Sequence, residues 1–189
     1  MKLDVCIYFA SLNRSSQLSL AIKCMRAENV YRLGCLSKEM SIKTHLEDHE
    51  NFQDHVILPH DILSNTSQEN AQEKYYFTIS KRANQGDLWG AILGDGFTEA
   101  VCKDYFQQIL QAVKFLQVHK VYHNDFKPDN IVLHKEEGHT KIYIIDFGNA
   151  SVENAHSIPY RRYGTVSMIC VVSFSFQYYV YNSQLFLFF

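Results

Sequence analysis

The stretch H-N-D-F-K-P-D-N at residues 123–130, with I-D-F-G at residues 145–148, decides the fold and the chemistry expected of this chain. The first segment places a carboxylate (Asp125), an ammonium (Lys127) and an amide (Asn130) within one turn of each other. The second segment places another carboxylate on a glycine turn that ends an apolar run. Two short runs predicted to be strands separate the segments. The pattern therefore predicts a polar site built from two loops at strand ends.

This set of groups suits phosphoryl transfer, which needs a carboxylate to orient the attacking hydroxyl, a cation for the moving phosphate and oxygen ligands for magnesium. The two segments resemble the catalytic loop and the metal loop of eukaryotic protein kinases. The resemblance implies that Asp125 orients the substrate hydroxyl and that Lys127 neutralises the γ-phosphate. It also implies that Asn130 and Asp146 bind Mg²⁺. Lys127-Pro128 resembles the serine/threonine-specific branch of the family.

Residues in the first half of the chain match the nucleotide-binding pattern of the same family. Ala21-Ile22-Lys23 resembles the strand lysine that holds the α- and β-phosphates of ATP, and Glu39 on the following predicted helix is expected to pair with Lys23. The resemblance implies ATP and Mg²⁺ as cofactors and a protein as substrate. The residues implied to bind the nucleotide and its metal are Ile7, Ala21, Lys23, Glu39, Ala83, Asn130 and Asp146.

Hydrophobic periodicity and the family resemblance together predict an α+β fold of the two-lobed protein kinase type. We expect a small, strand-rich lobe at residues 1–83, a partial, helix-led large lobe at 84–167 and an uncharged aromatic tail at 168–189. The best predicted helix, at 99–118, has a 3.6-residue apolar repeat and Thr98 as its cap. Other predicted helices cover 37–46 and 88–93, and predicted strands cover 5–10, 17–25, 56–58, 75–79, 131–133 and 141–145.

The chain departs from the family pattern in three places. Residues 1–5 contain no glycine, although the phosphate-covering glycine loop is expected there. Asn124 replaces the arginine that commonly precedes the catalytic aspartate, which argues against switching by phosphorylation at this point. The resemblance also ends at about Met168, so we expect a truncated and weakly active form.

Composition and cysteine usage limit the partners and the compartment. The net charge of −2 and the pI near 6.5 give no polybasic face for nucleic acid. The five cysteines are scattered and form no CxxC pair, which favours free thiols in a reducing compartment. The N-terminal residues do not have the pattern of a signal peptide. These features predict a cytoplasmic protein.

Residues 168–189 contain no charged side chain and are long enough to span a bilayer. Gln177, Asn182 and a central group of tyrosines at 178–181 interrupt this run, and tyrosine prefers the membrane interface to the centre. We therefore expect no stable transmembrane helix, and membrane contact through the tail is an alternative that this composition disfavours.

Three other functions stay open at this stage. One is a non-catalytic, kinase-like module that binds ATP or a partner. Another is a small-molecule kinase of the choline or aminoglycoside type, since His123-Asn124-Asp125 resembles those enzymes equally well. The third is a tail-anchored membrane protein, which depends on residues 168–189 alone. Lys127, together with the hinge-like Gly86-Asp87-Leu88, favours the protein kinase.

Overall fold

A computed structural model describes residues 5–11, 19–26, 30–65, 75–94, 96–153, 178–181 and 184–187. The region of the predicted missing glycine loop, residues 1–4, lies outside these ranges, as does most of the aromatic tail. The described ranges contain antiparallel sheets and three α-helices, which confirms the α+β fold class. The division of the chain into lobes at residues 83 and 84 stays a prediction.

The first half of the chain forms a four-stranded antiparallel sheet. Its strands are β1 (Val5–Ser11), β2 (Ser19–Arg26), β3 (Asp61–Ser64) and β4 (Tyr75–Lys81), in the spatial order β1-β2-β4-β3. The register places Lys23 of β2 opposite both Ile7 and Thr78. Successive side chains alternate between the two faces of a strand, so Lys23 shares its face with Ile7, Ala21 and Thr78.

Helix α1 (Val30–Leu46) lies between β2 and β3 in the chain and begins seven residues earlier than predicted. Its first two turns contain Gly34 and aromatic or β-branched residues, which have low helix propensity. Contacts with the turn at Phe147–Asn149 support this part of the helix. Tertiary packing therefore extends α1 beyond what local propensity predicts.

The predicted strand at residues 56–58 is wrong. Val56 and Leu58 are buried in the core, and Val56 forms only an isolated parallel bridge with Ile144. Pro59 follows directly and cannot donate a backbone hydrogen bond to a sheet. The strand of this region is β3, which begins two residues after the proline and pairs with β4.

Within its described residues, the second half of the chain contains two α-helices and three pairs of strands. Helix α2 (Leu88–Leu93) is capped by the Asp87 carboxylate, which accepts from the backbone N–H of Gly90. Helix α3 (Glu99–Val118) is capped by the Thr98 hydroxyl, which accepts from the backbone N–H of Val101. The predicted bounds of both helices are confirmed. The strands are β5 (Val121–Tyr122), β6 (Ile131–Glu136), β7 (His139–Ile144), β8 (Ser151–Val152), β9 (Tyr178–Tyr181) and β10 (Gln184–Leu187), and they pair as β5–β8, β6–β7 and β9–β10.

One apolar core joins helix α3, the β6–β7 hairpin and the end of helix α1. The apolar repeat predicted on α3 faces this core: Ile109 and Leu116 are buried, and Ala112 lies fully buried beside them. Leu46 of α1 and Phe147 of the second loop are also fully enclosed. The β6–β7 hairpin therefore rests on a rigid base, and the loops at its ends are held in place. Within the described ranges, no helix is long and apolar enough to cross a bilayer.

Candidate active site

A single imidazole joins the two loops singled out in the sequence. His123 is 4% exposed, and its Nε2–H donates to the carbonyl of Ile145 at 2.9 Å. Its Nδ1 accepts from the backbone N–H of Asp125 at 3.3 Å. Burial lowers the pKa of His123, and the resulting neutral ring has the one donor and one acceptor that these bonds need. The ring thereby links Asp125 to the residue that precedes Asp146.

Asp125 lies in a largely enclosed position with a cation and an amide beside it. The Lys127 ammonium is 3.2 Å from the Asp125 carboxylate. Asn130 donates through Nδ2 to the Asp125 carbonyl at 2.8 Å and to its carboxylate at 3.2 Å. A short turn at Pro128–Asn130 makes these contacts possible because it folds the chain back within three residues. The first segment therefore forms one compact set of polar groups around Asp125.

Lys23 connects the small sheet to the second loop. Its Nζ lies 3.1 Å from Oδ1 of Asp146 and 3.8 Å from Oε1 of Glu39. Glu39 comes from helix α1 and is 5% exposed. The predicted pairing of Lys23 with Glu39 is therefore present, and the same lysine also reaches the carboxylate of the metal-loop aspartate. Three groups from a strand, a helix and a loop meet at this point.

The two acidic groups beside Lys23 have opposite pKa shifts. Burial raises the pKa of Glu39 to about 7; the Lys23 charge opposes this rise and the Asp146 charge adds to it. Burial alone would raise the pKa of Asp146, but the charge and hydrogen bond of Lys23 outweigh it and bring that pKa below its ordinary value. Asp146 is therefore ionised at neutral pH, whereas Glu39 loses its proton only as the pH rises through about 7.

Replacing Glu39 with glutamine is expected to remove a pH dependence of stability. A carboxyl group whose pKa is raised on folding favours the folded state at low pH, and this contribution is lost as the pH rises from about 4.5 to about 7. Relative to Glu39→Gln, the wild type should lose up to about 3 kcal/mol of unfolding free energy across this window. Urea unfolding at several pH values measures the difference.

Glu47→Gln is the matched control because Glu47 also pairs with a lysine at 3.8 Å but its side chain is 42% exposed, against 7% for Glu39. It should follow the wild-type pH profile. Protonation of His123 occurs in all three proteins and cancels in the comparison. A Glu39→Gln profile that runs parallel to the wild type would contradict the raised pKa of Glu39.

The other predicted nucleotide-binding residues lie on the same side of the sheet or beside it. Ile7 and Ala21 share a face with Lys23, and Ile7 is exposed there. The Ser80 hydroxyl, opposite Ala21 on β4, donates to the Ala21 carbonyl at 3.4 Å. Ala83 follows β4 and is half-buried. The segment after it is tied to β6 by two backbone hydrogen bonds, from the Gln85 N–H to the Leu133 carbonyl and from the Leu133 N–H to the Gly86 carbonyl. The structure thus brings the strand residues together and places Ala83 at the junction between the two halves.

The groups at Asn130 and Asp146 fit a magnesium ion. Asn130 is 6% exposed and uses Nδ2 for its hydrogen bonds to Asp125, so its Oδ1 is the atom left to face a cation. Asp146 has a left-handed backbone with φ 63°, which turns its ionised side chain out of the strand direction. Magnesium takes oxygen ligands and commonly uses one or two protein groups together with phosphates and water. In the part of the chain that the structure describes, no cluster of three or more His, Cys, Asp or Glu is suited to a metal.

Asn124 occupies the position where the family pattern predicts arginine. Its backbone is left-handed, with φ 61°, and its Nδ2 donates to the Asn149 carbonyl at 3.1 Å and to the Ser151 hydroxyl at 3.0 Å. These neutral hydrogen bonds tie the first loop to the residues that follow the second loop. The Asn124 side chain therefore links the two segments through hydrogen bonds that do not depend on charge.

Two contacts of the site were not predicted from the sequence. A Cβ built on Gly148 would lie 2.9 Å from the Cβ of Cys35, so only glycine fits against helix α1 there. The Tyr31 hydroxyl donates to the Asn149 side chain at 3.1 Å. Cys35 precedes Glu39 by one helical turn, so its place beside the metal loop follows from the helical period once Glu39 is located.

Comparison with known proteins identifies related chains. Residues 6–170 match the family described as protein kinase domain. The chain is 32% identical over 139 residues to a rice (Oryza sativa subsp. japonica) protein called CBL-interacting protein kinase 5. The aligned part covers 72% of this chain and 27% of the relative. It is 30% identical over 151 residues to CBL-interacting serine/threonine-protein kinase 19 of Arabidopsis thaliana, covering 78% of this chain and 28% of the relative. The matched part thus spans less than a third of the length of these curated relatives.

Proposed function

Because the chain belongs to the protein kinase family, we propose that it transfers the γ-phosphate of ATP to a serine or threonine hydroxyl of a protein substrate. The observation that carries this proposal is the meeting of the two loops at His123, which bonds to the Asp125 N–H and to the carbonyl of Ile145 next to Asp146. Lys23 in turn contacts both Asp146 and Glu39. Serine/threonine specificity is supported by Lys127-Pro128 in this sequence and by the name of the Arabidopsis relative.

In this proposal Asp125 orients the substrate hydroxyl and accepts its proton as the oxygen attacks phosphorus. Its carboxylate accepts a hydrogen bond from Asn130, and its backbone N–H donates to the imidazole of His123, so its position is set before substrate arrives. Lys127 is within 3.2 Å of Asp125 and can move the short distance to the transferred phosphate while staying beside the proton acceptor. Phosphoryl transfer depends mainly on positioning and on electrostatic stabilisation, and these residues supply both.

Lys23 is proposed to hold the α- and β-phosphates of ATP. Glu39 fixes the position of Lys23 from helix α1, and the pairing also links the nucleotide to the orientation of that helix. Ile7 and Ala21 would line the base and ribose on the face that Lys23 shares, and the backbone of Ala83 would meet the adenine edge. Asn130 and Asp146 would bind Mg²⁺, which offsets the negative charge of the phosphates when bound.

We further propose ATP and a protein substrate as the partners, and a cytoplasmic location. The near-neutral charge of the chain gives no electrostatic reason for nucleic-acid binding. All the cysteines that the structure describes, Cys6, Cys24, Cys35 and Cys102, are free thiols, as a reducing compartment favours.

The proposed acceptor is tested by measuring ADP release with different acceptors. We expect ADP release to rise with a peptide library that contains serine and threonine, and not with the same library in which tyrosine is the sole hydroxyl residue. Choline and an aminoglycoside serve as small-molecule acceptors. Stimulation by either of these alone would assign a small-molecule kinase, and intact Mg²⁺-ATP binding with no acceptor effect would favour a non-catalytic module.

A further inference from the structure

Two cysteines lie directly opposite each other on neighbouring strands of the small sheet. Cys6 of β1 is the register partner of Cys24 of β2 in an antiparallel pair. Opposed residues in such a pair point to the same face, with Cα atoms about 4.5–5.5 Å apart. A disulfide joins Cα atoms that are about 4.4–6.8 Å apart. The backbone thus already holds the two residues at a separation that a disulfide can span.

The pKa shifts of the neighbouring groups agree with this closeness of the two thiols. Burial and the nearby Cys6 both raise the pKa of Cys24. A hydrogen bond with Cys6 is the main cause that raises the pKa of Tyr8, and Cys24 adds to that rise. Tyr8 lies two residues after Cys6 and therefore on the same face of β1. Both thiols are half-buried and free.

We propose that Cys6 and Cys24 form a redox modification site, in which hydrogen peroxide converts the two thiols into a cross-strand disulfide. One thiolate attacks a peroxide oxygen; the O–O bond breaks, and a sulfenic acid and water result once a proton is taken up. The other thiolate then attacks the sulfenic sulfur, the S–S bond forms, and the S–O bond breaks; the hydroxide that leaves takes up the proton lost by that thiol and becomes a second water. The sum is two thiols and one peroxide giving one disulfide and two waters.

This bridge would fix β1 without disturbing the proposed nucleotide site. Cys24 follows Lys23, so the two side chains point to opposite faces of β2. Among the strands that the structure describes, β1 lies at the edge of the four-stranded sheet and pairs with β2 alone. A covalent link at Cys6 would prevent β1 from separating from the strand that carries Lys23. The inference uses only the strand register and the thiols, so it does not depend on the proposed kinase activity.

Non-reducing peptide mapping of the peroxide-treated chain tests this inference. Trypsin cleaves after Arg14 and Lys23 and so places Cys6 and Cys24 in separate peptides. We expect these two peptides to be recovered as one linked species that lacks two hydrogens and that dithiothreitol separates. The bridge closes a loop of about 18 residues, so the oxidised chain should melt about 5–10 °C above the reduced one.

Two single variants, Cys6→Ser and Cys24→Ser, should each lose the linked species and the rise in melting temperature. A variant with serine at Cys35, Cys102 and Cys170 should keep both. If any variant does not fold, the linked peptide in the wild type decides the question alone. Recovery of Cys6 or Cys24 linked to other cysteines, or of both oxidised separately to sulfinic acid, would overturn the proposal.

Discussion

Replacing Asp146 with alanine is expected to weaken Mg²⁺-dependent ATP binding by at least about 100-fold. Loss of a residue that merely supports a metal ligand commonly costs about 10–100-fold in affinity, and the proposed role of Asp146 is direct. The substitution also removes the carboxylate that lies 3.1 Å from Lys23, the group proposed to hold the phosphates. Calorimetric titration with ATP, in the presence and absence of Mg²⁺, measures the loss.

Asp129→Ala is the matched control for this change. Asp129 lies in the same group of loops, one residue before Asn130, but its side chain is exposed. It should bind Mg²⁺-ATP as the wild type does. Asp146→Asn keeps the shape of the side chain and should still lose most of the affinity, which separates loss of charge from loss of packing. Equal binding by wild type and Asp146→Asn would contradict the assignment of Asp146 to the metal.

Replacing Asp125 with asparagine is expected to lower the rate of phosphoryl transfer by about 10²–10⁴-fold, the usual contribution of a positioned general base. The affinity for Mg²⁺-ATP should stay unchanged, because the substitution keeps the shape of the residue and its backbone contacts with His123 and Asn130. A single-turnover assay with γ-labelled ATP and a serine/threonine peptide detects the loss even when the wild-type rate is low.

Asp129→Asn is the control for this second change, since it makes the same chemical substitution four residues away at an exposed position. Its transfer rate should match that of the wild type. An Asp125→Asn protein that transfers phosphate at the wild-type rate would exclude Asp125 as the group that orients the hydroxyl. A parallel loss of ATP affinity would instead indicate that the substitution distorts the loop.

Much of the fold could be predicted because local signals were strong. Helix α3 has a regular apolar repeat and a threonine cap, and its predicted bounds agree with the structure. The strands predicted at 131–133 and 141–145 correspond to β6 and β7, and the chain turns between them at Glu137 and Gly138, which have left-handed backbones. The pairing of Lys23 with Glu39 was predicted from the family pattern, and the two side chains do meet. In these places the local sequence and the tertiary structure favour the same conformation.

The features that were missed depend on contacts between distant parts of the chain. The beginning of α1 is supported by Gly148, more than a hundred residues away, whose lack of a side chain leaves room for Cys35. Val56 was assigned to a strand because a short apolar run has the same pattern in a strand and in a buried core segment. The structure distinguishes the two, since Val56 forms only an isolated bridge with the distant Ile144. The two hydrogen bonds of His123 likewise follow from the meeting of two loops, which no local pattern shows.

We propose that Lys23, Glu39, Asn130 and Asp146 form one Mg²⁺-ATP site beside Asp125. The decisive measurement is a crystal structure of the chain with Mg²⁺ and a non-hydrolysable imido analogue of ATP. We expect phosphates at Lys23, a metal ion against the Asp146 carboxylate and the Asn130 side-chain oxygen, and adenine at the backbone of Ala83. Nucleotide bound elsewhere on the chain, or bound in this cleft with its metal away from both Asn130 and Asp146, would show that these residues do not form the site.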